Sequence, residues 1–356
     1  MWLSHVKLMQ VHLPPIFNPN GDDSPQKRRL FGGNPTNIIN LKDVKYKWAS
    51  HLFTEMRANI WIPQATDLTP DINNYVTMPP NMRRAFDGML SYLTFLDSLQ
   101  TRVLPLLMPV ITAPEVSICM GEQLSQEQVH SQSYAYIIET VIPTDKRDYI
   151  YELWREDPVL LRRCEYIQSL YDRYIHDMTM ENYTISLVGD FLLEGIYFFP
   201  GFRLFYAIAN ERYMSATADI IKLIERDEQT HLKLIANIIR TGLAEGTLMW
   251  DTDEIMDLFR KAAEYEIEWG LHIGLGVNGI SATTIEQYAK YLCNIRARAI
   301  GLPTVFEGRQ YSRNPYAHLD RFAATTGEDS ITRDNFFESG VIYRNPAKVV
   351  DGWDSI

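Results

Sequence analysis

Apolar positions recur at helical spacing over most of this chain. Across 83–108, Phe86, Leu90, Leu93, Leu96 and Leu104 repeat every three to eight residues, the pattern of one buried face on a helix. The same reading predicts a helix from Pro114 to about Val141, with Pro143 as its stop, and two amphipathic helices within 145–182, the second carrying Cys164, Ile167, Leu170 and Ile175. Further helices follow at about 214–241, 252–274 and 283–299. Between them, 184–211 is apolar almost throughout (Ile185, Leu187, Phe191, Leu192, Leu193, Ile196, Phe198, Phe199), and Pro200-Gly201 inside it predicts a kink or bulge. Upstream, a helix is expected from near Lys42, with Trp48, Leu52 and Met56 at spacing four, ended by Pro63. Residues 64–80, with Pro70, Pro79 and Pro80, read as loop. No segment alternates with the period of a strand, so the expected class is all-α.

Three regions follow from this pattern. Residues 1–40, punctuated by Pro14, Pro15, Pro19, Gly21, Pro25, Gly32, Gly33 and Pro35, form an extended N-terminal arm; 41–302 form one helical domain; 303–356 form an irregular segment and a flexible acidic tail. At 356 residues the length alone suggests two domains, but composition does not change in the middle, and long helices absorb this length in one body.

Charge and cysteine content narrow the function. A net charge of −11 and a pI near 5.3 argue against a nucleic-acid partner, and the single basic run, Lys27-Arg28-Arg29, is too short to alter that. Cys119, Cys164 and Cys293 are scattered and match neither a disulfide framework nor zinc spacing, so a reducing cytoplasm is expected. No signal core and no run of about 20 apolar residues suggest a membrane.

Six residues carry the chemistry. Glu127-Gln128-Val129-His130 and Glu228-Gln229-Thr230-His231 are two Glu-x-x-His pairs, and positions i and i+3 share a helix face. A lone acid in an apolar helix precedes each pair: Asp97 by 30 residues and Glu194 by 34. One Glu-x-x-His alone is usually a solvated pair. Two of them, each with its own acid inside an apolar helix, would bury four carboxylates without partners, which is costly. One acid per Glu-x-x-His on four helices is the ligand set of ferritin-like bundles that hold two metals. Four carboxylates and two neutral imidazoles carry −4, which two divalent ions cancel. Open positions and oxygen/nitrogen ligands suit redox-active iron or manganese better than structural zinc. His176 and His272, without an acid three residues earlier, read as ordinary histidines.

The stretch Gln126-Glu127-Gln128-Val129-His130-Ser131-Gln132-Ser133-Tyr134 resembles the first-metal motif of the small subunits of class I ribonucleotide reductase. Phe95-Leu96-Asp97-Ser98-Leu99-Gln100 resembles the family's first-ligand segment, Glu225-Arg226-Asp227-Glu228-Gln229-Thr230-His231 its last, and Phe31-Gly32-Gly33-Asn34-Pro35-Thr36-Asn37 a segment of its arm. In the tail, Asn335-Phe336-Phe337-Glu338 followed by Tyr343 resembles the family's tail segment. The resemblance covers nearly the whole chain.

It implies a homodimeric, radical-generating subunit with two metal ions per chain, iron favoured and manganese possible. A reduced cluster would react with oxygen, or in the manganese case with an oxidant from a flavodoxin-like activator, and oxidise Tyr134. The radical would then pass by His130, Asp227, Trp61 and Tyr343 to the large subunit, where ribonucleotides are reduced. Phe198, Phe202 and Ile224 fall where the family lines its oxygen pocket. The tail, ending Val350-Asp351-Gly352-Trp353-Asp354-Ser355-Ile356, would dock on the large subunit. The alternative is a ferritin-like dimetal two-electron oxidase, against which Tyr134, Tyr343 and an Asp as first ligand speak.

Overall fold

The computed structural model describes residues 10–40 and 42–323; Tyr343 and the rest of 324–356 lie outside the described residues. Among the described residues the regular structure is helical, with two isolated β-bridges, Gln10 to Thr179 and Phe31 to Ile111. The helices are α1 (Lys47–Ala58), α2 (Thr69–Thr77), α3 (Pro80–Leu107), α4 (Pro114–Val141), α5 (Thr144–Glu156), α6 (Pro158–His176), α7 (Met180–Leu192), α8 (Phe199–Asn210), α9 (Ser215–Ala244), α10 (Thr252–Gly274) and α11 (Ala282–Ala299). Short 3-10 turns alone occupy 303–323.

Four segments form the bundle that matters: α3, α4, α9 and the continuous stretch of α7 and α8. α3 packs on α4, α4 on α9, α9 on α7, and α3 on α8. α4 is apolar on much of its surface, yet its inward face carries Glu115, Glu122, Gln123, Gln126, Glu127, His130 and Ser133, all buried. Polar groups on the inward face blur the usual amphipathic pattern there. The stretch Met180–Asn210 is long and apolar enough to cross a bilayer, but 94% of its apolar window is buried inside the protein, which marks it as a core element.

The kink expected at Pro200-Gly201 is realised one turn earlier. Leu193–Tyr197 form a π-helical turn, closed by Phe198 N–H donating to Leu193 C=O at 3.2 Å. Pro200 has no N–H to offer Ile196, so the ladder must break here, and the wide turn absorbs the defect. Glu194 sits in that turn.

Two expectations need correction. α1 starts at Lys47 rather than near Lys42, because the chain before it turns and bends around a buried carboxylate: Glu115 Oε1 on α4 accepts from Arg28 Nη1 (3.1 Å), Lys45 N–H (3.1 Å) and Tyr46 N–H (3.2 Å). Residues 64–80 are not loop throughout, since Thr69–Thr77 is helical with Pro70 in its first turn. Its reason lies in α9. The first turn of α9 has no side-chain cap of its own and follows Met214 in a left-handed conformation. Asp71 of α2 supplies the missing acceptor, taking Thr217 N–H at 2.6 Å and Thr217 Oγ1 at 2.7 Å. A carboxylate at a helix N-terminus satisfies orphan donors and opposes the macrodipole.

The arm is fastened to the two helices that carry the Glu-x-x-His pairs. Besides Glu115, Glu245 just after α9 binds Lys45 Nζ (2.7 Å), Tyr46 Oη (2.6 Å) and Leu30 N–H (3.1 Å).

A candidate dimetal centre

α3 supplies Asp97, α4 supplies Glu127 and His130, the π turn supplies Glu194, and α9 supplies Glu228 and His231; all six are fully buried. They form two overlapping groups, Asp97–Glu127–His130–Glu228 and Glu127–Glu194–Glu228–His231, in each of which one ligand atom per residue lies within 4.8 Å of the others. Glu127 and Glu228 belong to both. The sequence therefore located all six members of the cluster.

The histidines turn the same nitrogen inward. His130 Nδ1 lies 3.0 Å from Glu228 Oε1 and 3.4 Å from Asp97 Oδ1; His231 Nδ1 lies 2.9 Å from Glu228 Oε2 and 3.0 Å from Glu127 Oε1. Their Nε2 atoms face outward, to Asp227 Oδ2 at 3.4 Å and to Gln126 Oε1 at 2.9 Å. Both oxygens of Asp97, both of Glu127, Glu228 Oε1 and His130 Nδ1 have no hydrogen-bond partner. Buried carboxylates left so are expensive unless cations neutralise them. The donor set, its charge and its orphaned oxygens fit two metal ions.

The electrostatics agree. Burial, opposed by His130, pushes the Asp97 carboxyl up to about 7. Burial and then the Glu194 and Glu127 charges raise Glu228 well above the carboxylate range. Burial disfavours charge on His130 and His231, but the facing carboxylates outweigh it and raise both well above the usual imidazole value. Without cations the cluster thus keeps protons that metal ions would displace.

Outside the cluster, Trp61 Nε1 donates to Asp227 Oδ2 at 2.7 Å, and the Trp61 and His130 ring centroids are 6.2 Å apart. Arg226 holds the other oxygen, Asp227 Oδ1, from Nε (3.2 Å) and Nη2 (3.1 Å). Tyr134 is buried, and its hydroxyl has no partner; burial, then the charges of Asp97, Glu228 and Glu127, push its pKa well above 10. Phe198, Phe202 and Ile224 are buried too, with the two phenyl rings 6.2 Å apart. His176 and His272 stand apart from the cluster, on Asp172 C=O and Asp157 Oδ2.

A ring of amides escaped the sequence reading. Gln100 Nε2 and Gln123 Nε2 each lie 2.8 Å from Glu194 Oε1, Gln126 serves His231, and Asp190 accepts from Gln100. The signal was present: Gln100 is Asp97 plus three, Gln123 is Glu127 minus four, and Asp190 is Glu194 minus four. The spacing rule that pairs the ligands places these on the same faces.

A family model described as ribonucleotide reductase, small chain, matches residues 38–315. The chain belongs to this family. It is 32% identical over 341 residues to the ribonucleoside-diphosphate reductase subunit beta of Treponema pallidum, covering 94% of this chain and 96% of that one. The ribonucleotide reductase R2 subunit from Clostridium botulinum superimposes with a TM-score of 0.85 at 36% identity, over 89% of this chain and all of that one. The dimanganese(II) protein of Streptococcus sanguinis shares the fold, with a TM-score of 0.67 at 20% identity, over 79% and 99% of the two chains. As a ribonucleotide reductase small subunit, the chain is part of an oxidoreductase, and its ferritin-like bundle and buried metal-binding cluster are those the sequence indicated. Small subunits of this family work with a large subunit and form dimers. Nothing in these likenesses favours a two-electron oxidase.

Proposed function

We propose that Asp97, Glu127, His130, Glu194, Glu228 and His231 hold two redox-active ions, iron before manganese, and that Tyr134 stores a radical used by the large subunit. The convergence of six buried ligand groups with orphaned oxygens carries this reading. Bound there and oxidised by oxygen, the ions would supply the one-electron oxidant for the Tyr134 phenol, the electron passing to the centre and the phenolic proton to an oxygen base there.

The protein's residues provide the rest. Tyr134 is fully buried and its hydroxyl has no hydrogen-bond partner, so a phenoxyl there meets no donor ready to quench it. Phe198, Phe202 and Ile224 give an apolar wall suited to admitting oxygen and excluding water. Burial works against charge on Asp227, but His130, Arg226 and Trp61 outweigh it and hold its carboxyl below the usual range. As an anion it is ready to take the Trp61 indole proton at Oδ2 when the radical passes. Trp61 is half-buried, at the edge of the molecule, where a partner subunit can meet it.

The remaining assignments rest on the resemblance and on composition. The arm 1–40 and helical body 41–302 form the radical-generating unit, and the acidic tail that ends the segment 303–356 docks on the large subunit, with Tyr343 as the next radical carrier. A flavodoxin-like activator would serve a manganese cluster. Three buried, unpaired cysteines suit a reducing cytoplasm.

Electron paramagnetic resonance on metal-free protein reloaded with Fe(II) and exposed to oxygen tests the reading. A tyrosyl signal absent from Tyr134→Phe supports it. No signal with iron, nor with manganese and a flavoprotein oxidant, overturns it.

A further inference from the structure

Asp190 is a fully buried carboxyl that belongs neither to the ligand set nor to any ion pair among the described residues. Its Oδ1 accepts from Gln100 Nε2, and its Oδ2 has no partner. Keeping a carboxyl in such a place works against the fold, so its contact with Gln100 calls for a reason. The reason lies one turn further along the helix.

Gln100 Nε2 has two hydrogens. One goes to Asp190 Oδ1 and the other to Glu194 Oε1, 2.8 Å away. Tyr171 Oη donates to Gln100 Oε1 at 3.1 Å. All three polar positions of this amide are occupied, and turning it over would set its oxygen against two carboxyl groups while facing its N–H groups to a hydroxyl donor. Gln123 Nε2 adds a second donor to the same Glu194 Oε1 at 2.8 Å. With Oε1 receiving two N–H groups, Glu194 turns only Oε2 inward, 3.3 Å from His231 Nδ1.

We propose that Asp190 is a positioning residue which, through Gln100, fixes Glu194 so that it offers one oxygen to the centre. This inference rests on the dimetal reading of the cluster. Asp190 itself does not face the ions; it acts by fixing the donor that holds Glu194.

The test uses the full chain, freed of metal and titrated with Mn(II), read by calorimetry and by the Mn(II) electron paramagnetic resonance pattern. Asp190→Leu removes the acceptor, and the weaker of the two Mn(II) affinities is expected to fall 10- to 100-fold, the range for lost support of a ligand, with a changed spectrum. Asp190→Asn keeps an acceptor oxygen and restores the parent spectrum. Gln100→Leu and the Gln100→Leu, Asp190→Leu double variant are expected to match each other, since one residue acts through the other. Asp190→Ala adds no bulk and reads the same contact should the Leu variant not fold. Parent-like isotherms and spectra in Asp190→Leu or Asp190→Ala overturn the proposal, as do effects of Asp190 and Gln100 that simply add. A parent chain that takes up no Mn(II) sinks the dimetal reading along with it, which separates the two failures.

Discussion

Gln126 stands to His231 as Asp227 stands to His130: each is the residue just before the Glu of one Glu-x-x-His, and each meets the outer nitrogen of the other motif's histidine, at 2.9 and 3.4 Å. The two motifs are therefore strapped across one another. Each strap fixes which nitrogen faces the cluster, and a partner of this kind is worth about 10- to 100-fold in metal affinity. Gln126→Leu and Asp227→Leu should each weaken Mn(II) binding by that order. The Asp227 change should cost more, because a charged acceptor makes the stronger hydrogen bond. Isothermal titration of the two variants checks this; equal affinities in parent and both variants would show that the straps do not position the rings.

The cluster also dictates a pH dependence. In the unfolded chain Asp97 titrates near 3.8, and in the fold at about 7. A raised carboxyl means the folded state binds more protons in between, so its contribution is complete below about pH 4 and is lost as pH rises through 7. Glu228 shifts the same way, and His130 and His231, raised in the fold, lose their contribution as pH rises past the usual imidazole range. Asp87, raised to about 6 chiefly by burial, adds to the trend. Glu194, held at about 2, acts in the opposite sense, but its contribution is already in place above pH 5. Metal-free protein should accordingly be less stable to urea at pH 7.5 than at pH 5. Metal-loaded protein should lose this trend, and its affinity for metal should rise with pH as protons are displaced. A metal-free chain more stable at pH 7.5 would refute the account.

The sequence made the cluster legible because ligand pairs at i and i+3 obey helix geometry whatever the surroundings, and because an acid in an apolar run such as 184–199 needs a buried partner. It also placed α10, expected at about 252–274 and found at Thr252–Gly274. What it did not show depends on contacts between distant segments. α2 reads as loop by its prolines, and its role in capping α9 through Asp71 exists only once the two meet. The bent path before α1 depends on Glu115, some 70 residues away in sequence. The glutamines around Glu194 look like ordinary helix residues until the bundle closes.

Glu115 offers a test of how the arm is held. Its Oε1 takes three donors, from Arg28, Lys45 and Tyr46, and the residue is buried. Glu115→Ala leaves the buried Arg28 guanidinium without its carboxylate partner and takes the acceptor from two N–H groups. Breaking a buried pair in this way costs about 3–5 kcal/mol. The variant should unfold at clearly lower urea concentration and should be cut by trypsin at Arg28, Arg29 or Lys45 much faster than the parent. Unchanged cleavage at those sites would mean that Glu245, Thr112 and the Phe31–Ile111 bridge secure the arm without Glu115.

Trp61 tests the outward path. Its Nε1 donates to the same Asp227 oxygen that faces His130, so Trp61→Phe deletes the only group by which the indole joins that line while keeping an aromatic ring in place. None of the six cluster ligands and no atom of Tyr134 is altered. Radical yield after iron loading should therefore stay within about two-fold of the parent, while ribonucleotide reduction with the large subunit should fall by at least the roughly 100-fold that loss of one member of a positioned proton-transfer pair commonly brings. Asp227→Asn should show the same split, since an amide oxygen still accepts from the indole but is a far weaker base. Loss of radical yield and turnover together in Trp61→Phe would assign the tryptophan to cluster assembly and leave the exit of the radical to another route.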